Sequence, residues 1–198
     1  MLYSLPNLLT YGRILAVPAV AVLLYWSTGP ARWAALALFV AACITDYFDG
    51  YLARAWNQTS ALGRMLDPIA DKLLVGAVLI MLVHDRTIAG ADVFAAVLIL
   101  SREILVSGLR EYLAGTRVSV PVTWLAKWKT AVQMVALGLL VAGPEGDRLV
   151  PGVTDAGIAG LWVAAALTLY TGYDYMRSGL AHVFAQDEAT RPQGTPGE

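Results

Sequence analysis

Six long apolar segments alternate with short polar breaks along almost the whole chain. The segments cover residues 5–26, 31–53, 63–83, 92–113, 122–142 and 155–180. Each is close to the length of about 20 mainly apolar residues that a helix needs to cross the hydrocarbon core of a bilayer. The breaks are rich in Gly and Pro, which are typical of turns. The pattern therefore predicts an all-α integral membrane protein with six transmembrane helices.

The composition agrees with a membrane protein of one domain. Of the 198 residues, 58% are hydrophobic and only 15% are charged, which is far more apolar than one soluble core requires. Cys43 is the only cysteine, so no internal disulfide can form. We expect a single transmembrane domain over residues 1–185. Residues 186–198 mix charge, Thr, Pro and Gly without an apolar period, and we expect them to form a flexible tail.

The basic residues are distributed unequally between the two sides of the predicted membrane. Six spans place both termini on one side, and cytoplasmic loops are usually the richer in Lys and Arg. With the termini in the cytoplasm, eleven of the fourteen basic residues lie inside or towards it. The other three, Arg32, Arg86 and Arg148, lie outside. The asymmetry predicts cytoplasmic termini.

Four aspartates interrupt the apolar pattern around the break between the second and third segments. An ionised carboxylate is costly in lipid, so such residues usually face a cavity and carry function. One group falls at helical spacings i, i+3, i+4, i+7 and i+8 and consists of Asp46, Asp49, Gly50, Ala53 and Arg54. A second group, spaced i, i+4 and i+8 on the next segment, consists of Gly63, Asp67 and Asp71. Each group lies on one stripe of a helix, and the short break between the helices brings four carboxylates to one pocket.

Four carboxylates in one pocket would repel one another, and a divalent cation is the natural way to neutralise them. Oxygen ligands without His or Cys favour Mg²⁺ or Mn²⁺ over zinc. A pair of ions about 3.5–4 Å apart would suit a displacement at phosphorus, although the spacing is equally compatible with one ion. Arg54, beside the small residues of its stripe, is a candidate partner for a pyrophosphate. Small residues alone would favour tight helix packing, but their alternation with Asp and Arg on one stripe reverses that preference.

The start of the third helix is open to two interpretations. Asp67 near an N-cap with Pro68 at the first helical position would begin a helix there. Alternatively, Pro68 kinks a longer helix that begins earlier in the chain.

The residues from Asp46 to Asp71 form the pattern Asp-x2-Asp-Gly-x2-Ala-Arg-x8-Gly-x3-Asp-x3-Asp, which resembles the signature of the CDP-alcohol phosphotransferase family at every position. The six-span pattern agrees with the architecture of that family. Flanking runs at 6–13, 56–58, 101–111 and 127–134 are similar to the bacterial branch of the family that makes phosphatidylglycerol phosphate. The resemblance implies transfer of the phosphatidyl group of CDP-diacylglycerol to the 1-hydroxyl of sn-glycerol 3-phosphate, with release of CMP.

The resemblance also implies roles for individual residues. Asp46, Asp49 and Asp67 would be the principal metal ligands, and Asp71 would be both a ligand and the base that receives the hydroxyl proton. The residues implied to bind CDP-diacylglycerol are Asn7, Asp46, Gly50, Ala53, Arg54 and Gly63. The expected assembly is a homodimer in the bacterial inner membrane, with the active site facing the cytoplasm and no nucleic-acid partner.

The phosphate of glycerol 3-phosphate needs an anion site of its own. Four basic residues of the fourth and fifth segments are the candidates: Arg102, Arg110, Lys127 and Lys129. The two arginines stand at i and i+8 on one helix, and the lysines open the next. The alternative is a positive-inside flank whose charges pair with Glu103 and Glu111.

Two other functions share some of these features. An ion transporter also places carboxylates within the membrane, but here the acids gather near one side and the sequence has no sign of inverted repeats. A sibling enzyme would share the nucleotide site and use another acceptor, such as inositol phosphate, serine, choline or phosphatidylglycerol. The flanking runs around Arg102 and Lys127 favour glycerol 3-phosphate over these acceptors.

Overall fold

The described part of the chain is built from α-helices alone. The computed structural model describes residues 5–55, 61–115 and 124–190, and these ranges contain no strand. The helices are α1 (Leu5–Trp26), α2 (Gly29–Ala55), α3 (Ala61–His84), α4 (Asp92–Gly115), α5 (Trp124–Leu149) and α6 (Val153–Thr190). They correspond one to one with the six apolar segments, so the predicted all-α architecture is confirmed.

Three helix boundaries differ from the sequence prediction or decide between its alternatives. Pro68 lies inside α3, which begins at Ala61, so the helix does not start with Asp67 as its N-cap. Helix α5 continues past its predicted end at 142. It bends at Gly143, where φ is 48° and ψ is −131°. The last helix, α6, runs to Thr190 and passes the predicted end of the span at 180. The flexible tail at 186–198 stays a prediction.

One continuous apolar core joins all six helices. The first helix packs against α2 and α3, while α5 packs against α2 and α6, and α4 packs against α6. Each helix contributes a large side chain that is almost completely buried: Leu24, Phe39, Leu79, Ile99, Leu137 and Leu161. Non-adjacent helices are therefore held together by the same hydrophobic contacts.

Large apolar side chains also cover the outside of the bundle. Leu15, Ile80 and Phe94 are 71%, 61% and 69% exposed, and similar residues occur on every helix. A soluble monomer rarely exposes so much contiguous apolar surface, whereas lipid would cover it. Among the described residues, length and composition alone identify two helices able to cross a membrane, Leu8–Trp26 and Val153–Arg177. The other four carry the charged residues of the predicted site.

A buried ion pair connects the helices at the end of the bundle remote from the aspartates, which we call the outer end. Arg32, at the start of α2, donates to the Asp85 carboxylate and to Thr87 Oγ1 at 2.8 Å, and both partners lie in the α3–α4 turn. A Cβ at Gly143 would stand only 2.9 Å from Arg32 Nη1. The absence of a side chain at Gly143 therefore lets the guanidinium lie against the bend in α5.

Candidate active site

Two side chains of α1 bring together three of the predicted aspartates. Arg13 Nη1 lies 2.6 Å from Asp46 Oδ1 on α2 and 2.8 Å from Asp71 Oδ1 on α3. Thr10 donates a hydrogen bond of 2.5 Å to Asp67 Oδ1. Thr10 and Arg13 are three residues apart and therefore share one face of α1. That face holds the carboxylates of the two neighbouring helices in one place.

The Arg13 side chain is fully buried, whereas the side chains of Asp46 and Asp71 are 43% and 42% exposed. The guanidinium thus contacts the two carboxylates from the protein interior. Their exposed parts remain accessible to a ligand. One cation against Asp46, Asp67 and Asp71 leaves the group negatively charged when all three are ionised. The net charge of the cluster therefore has the sign that attracts a cation.

The oxygen ligands in this cluster fit a hard divalent cation. Within the described residues, however, no group of three or more His, Cys, Asp or Glu side chains is arranged to hold a metal ion. Asp49, the fourth predicted ligand, is not among the described side chains. The metal site of four aspartates therefore stays a prediction, with three of its members gathered around Thr10 and Arg13.

Several other predicted residues also fall outside the described side chains. Their backbone belongs to α1, α2 or α5, but their surroundings are not described: Asn7, Gly50, Ala53, Arg54 and Lys127. Gly63 is described, and it is buried in the first turns of α3. The nucleotide site as a whole stays a prediction.

A second, basic cluster forms where α4, α5 and α6 meet. Lys129 is buried, and its ammonium group donates to Glu103 Oε1. Arg102 Nη1 lies 3.7 Å from the same oxygen. The pairing with Glu103, which is the alternative to an anion site, therefore occurs for Arg102 and Lys129, yet the three groups together keep one positive charge. Arg102, Glu103 and Lys129 form what we call the basic cluster.

The two clusters are neighbours. Lys72 follows Asp71 on α3 and donates to the Pro68 carbonyl at 2.8 Å. The same ammonium group interacts electrostatically with Asp71 and with Glu103 of the basic cluster. Lys72 is thus close to acidic and basic groups that are far apart in sequence. Such an arrangement can bind a cation and an anion next to each other.

The sequence prediction did not identify Thr10 or Arg13 as functional residues. Both lie in the run 6–13, which carries part of the family resemblance, and Arg13 is one of the eleven basic residues whose distribution predicts the topology. An arginine near the middle of an apolar segment is costly in lipid in the same way as the aspartates are. That cost was the signal that could have identified Arg13.

Comparison with known proteins gives the same family as the motif. The model of the CDP-alcohol phosphatidyltransferase family matches residues 3–170. A Rickettsia bellii (strain RML369-C) protein is 50% identical over 175 residues, covering 88% of this chain and 94% of that protein. An Escherichia coli (strain K12) protein is 39% identical over 188 residues, with 94% and 100% covered. Both are named CDP-diacylglycerol–glycerol-3-phosphate 3-phosphatidyltransferase. The chain therefore belongs to the CDP-alcohol phosphatidyltransferase family.

Proposed function

We propose that the protein transfers the phosphatidyl group of CDP-diacylglycerol to the 1-hydroxyl of sn-glycerol 3-phosphate. The products are phosphatidylglycerol phosphate and CMP. Relatives with that activity in their names are 39–50% identical over most of the chain. The observation that carries the proposal is the proximity of an acidic cluster, on α2 and α3, to a basic cluster on α4 and α5.

The family generally depends on a divalent metal. In this chain Asp46, Asp49, Asp67 and Asp71 would hold Mg²⁺ or Mn²⁺, and we propose two ions. Bound there, the metal would supply positive charge to the pyrophosphate and to the departing CMP. The half-exposed carboxylates held by Thr10 and Arg13 have the oxygen chemistry and the accessibility that such a role requires.

Asp71 is the proposed general base. Its Oδ1 is held by the buried Arg13, which fixes the orientation of the carboxylate. The acceptor oxygen attacks the lipid-side phosphorus as its proton passes to Asp71, and the bond between that phosphorus and the CMP oxygen breaks. The protein needs no covalent intermediate, because positioning and charge neutralisation supply the catalysis.

The remaining proposed contacts divide between the two substrates. Asn7, Asp46, Gly50, Ala53, Arg54 and Gly63 would bind CDP-diacylglycerol. Arg102, Arg110, Lys127 and Lys129 would bind the phosphate of glycerol 3-phosphate. The positive charge that Arg102 and Lys129 keep beside Glu103 supports the second assignment, because the acceptor phosphate is a dianion.

The family makes phospholipids at membranes, and this placement follows from the exposed apolar surface of the bundle. For this chain we propose the bacterial inner membrane, an active site facing the cytoplasm, and a homodimer. The unequal distribution of basic residues supports the orientation. Crosslinking of the protein in native membranes, which would leave only monomers if the homodimer is absent, tests the assembly.

Acceptor choice is tested with purified enzyme, CDP-diacylglycerol and Mg²⁺. Glycerol 3-phosphate, inositol phosphate, serine, choline and phosphatidylglycerol are offered one at a time, and CMP release is measured. Glycerol 3-phosphate should give by far the highest kcat/KM. Preference for another acceptor would show that the protein is a sibling enzyme of the family with that acceptor. If the reconstituted protein conducts cations and releases no CMP, the enzymatic proposal fails and the protein is a transporter.

A further inference from the structure

The face of α6 that meets α4 carries polar groups opposite the two arginines of α4. Thr171 and Tyr175 are four residues apart and share that face, and Gly172 adjoins Thr171. Thr171 and Gly172 contact Arg102, and the Tyr175 ring lies under Arg110. The sequence predicts no functional role for these three residues of α6.

The hydroxyl of Thr171 is oriented towards Arg102 by its own helix. Its proton is donated to the Leu167 carbonyl, at 2.8 Å, one turn earlier in α6. The oxygen can then act only as an acceptor for another group, and Arg102 Nη2 donates to it at 3.2 Å. Both side chains are largely buried, which shields this hydrogen bond from water.

Gly172 lets the stem of Arg102 lie against the backbone of α6. A Cβ at this position would stand 3.0 Å from Arg102 Cγ and 3.3 Å from its Nε. Both distances are shorter than ordinary van der Waals contacts, so a side chain here would push the arginine aside. Thr171 holds the end of Arg102, and Gly172 makes room for its stem.

A second arginine of α4 is supported by the same face. The guanidinium carbon of Arg110 lies 5.8 Å from the centre of the Tyr175 ring, within the range of a cation–π interaction. Arg102 and Arg110 are eight residues apart on α4, and Thr171 and Tyr175 are four residues apart on α6. Each pair therefore lies along one face of its helix. Two supports on α6 thus serve two cations on α4.

We propose that Thr171 and Gly172 are positioning residues that direct Arg102 towards the acceptor phosphate, an inference that rests on the proposed binding of glycerol 3-phosphate by Arg102. Arg102 Nη1 lies 3.7 Å from Glu103, which is too far for a hydrogen bond. Without the Thr171 oxygen, the guanidinium can move onto Glu103, and its charge is then diverted from the substrate. A guanidinium binds phosphate through a planar fork, so its orientation determines affinity.

The test compares two threonines of α6. Thr171→Val removes the acceptor for Arg102, and we expect KM for glycerol 3-phosphate to rise about tenfold, the size expected for one hydrogen bond to a charged group. The KM for CDP-diacylglycerol should stay within about twofold. Thr171→Ser restores the oxygen and should restore KM. Thr168→Val is the matched control, because Thr168 is also buried on α6 and its hydroxyl has no hydrogen-bond partner among the described residues.

Gly172→Ala gives an independent measurement in a variant whose helix propensity is improved, and it should also raise KM for glycerol 3-phosphate. Gly172→Ala therefore still tests the positioning role if Thr171→Val does not fold. An equal KM for Thr171→Val and Thr168→Val, with Gly172→Ala unchanged, would overturn the positioning role. Arg102→Lys distinguishes the positioning role of Thr171 and Gly172 from the proposed acceptor site at Arg102. If Arg102→Lys raises KM and the α6 variants do not, only the positioning role fails, whereas an unchanged KM in Arg102→Lys refutes the acceptor site itself.

Discussion

Removal of the Arg13 guanidinium should impair both the stability of the protein and its catalysis. Arg13 Nη1 makes two short contacts, of 2.6 Å to Asp46 and 2.8 Å to Asp71. A hydrogen bond to a charged group contributes about 1.5–3 kcal/mol, and we take the lower limit for each because both carboxylates are partly exposed. Arg13→Ala should therefore lower the free energy of unfolding by about 3 kcal/mol.

The catalytic effect of Arg13→Ala follows from the orientation of Asp71. A positioned general base contributes about 10²–10⁴ to the rate, and Arg13 holds one oxygen of the proposed base. We expect kcat to fall about 10²-fold. Arg13→Lys keeps the positive charge but replaces a planar fork by a compact ammonium group, so its kcat should be intermediate.

CMP release under saturating substrates gives kcat, and unfolding by denaturant in mixed micelles gives the loss of stability. Arg148→Ala is the matched control, because Arg148 pairs with Glu145 at the outer end and its side chain is 72% exposed. Such surface ion pairs contribute little. If Arg13→Ala keeps the normal kcat while Asp71→Asn is inactive, the guanidinium does not position the base and the reasoning is refuted.

Three further predictions concern the acidic cluster and the outer end of the bundle. Asp67→Asn should lower turnover at least 10²-fold, because it removes an anionic ligand at almost constant volume; substantial CMP release at ordinary Mg²⁺ would exclude direct ligation. Asp85→Ala leaves Arg32 buried without its carboxylate and should cost about 3 kcal/mol of stability in mixed-micelle unfolding, while KM for both substrates stays normal. Hydrogen bonding by Thr154, whose backbone N–H donates to Asp147 Oδ1 at 2.9 Å, lowers the pKa of Asp147 in the last turn of α5. Because that pKa is below its unfolded value, the stabilisation is present above the unfolded pKa and is lost as pH falls through the lowered pKa. The stability difference between Asp147→Asn and the original protein should therefore become smaller as the pH falls. A difference that grows in acid would contradict the assignment.

The helices and the acidic groups could be predicted because their signals are local. An apolar run of about 20 residues predicts a long helix from the run itself. Asp67 and Asp71 lie one helical turn apart, so their shared face follows from helix geometry without knowledge of the neighbours. The six helices of the described residues follow from such short-range patterns.

The supports of the charged groups could not be predicted because they come from distant parts of the chain. Arg13 and Asp71 are 58 residues apart, and Arg102 and Thr171 are 69 apart. Helical periodicity determines which residues share a face but not which helix that face meets. Thr171 has no sequence signal of its own, since a threonine within an apolar helix commonly bonds to its own backbone.

The acidic and basic clusters follow the same electrostatic design with opposite signs. Arg13 partly neutralises Asp46 and Asp71, and Glu103 partly neutralises Arg102 and Lys129. In each cluster one buried or largely buried counter-charge reduces the repulsion between like charges, so the bundle can fold before its substrates bind. Neither counter-charge completes the neutralisation. The acidic cluster keeps a net negative charge and the basic cluster a net positive one, so the charge left over by folding has the sign that each proposed substrate site requires.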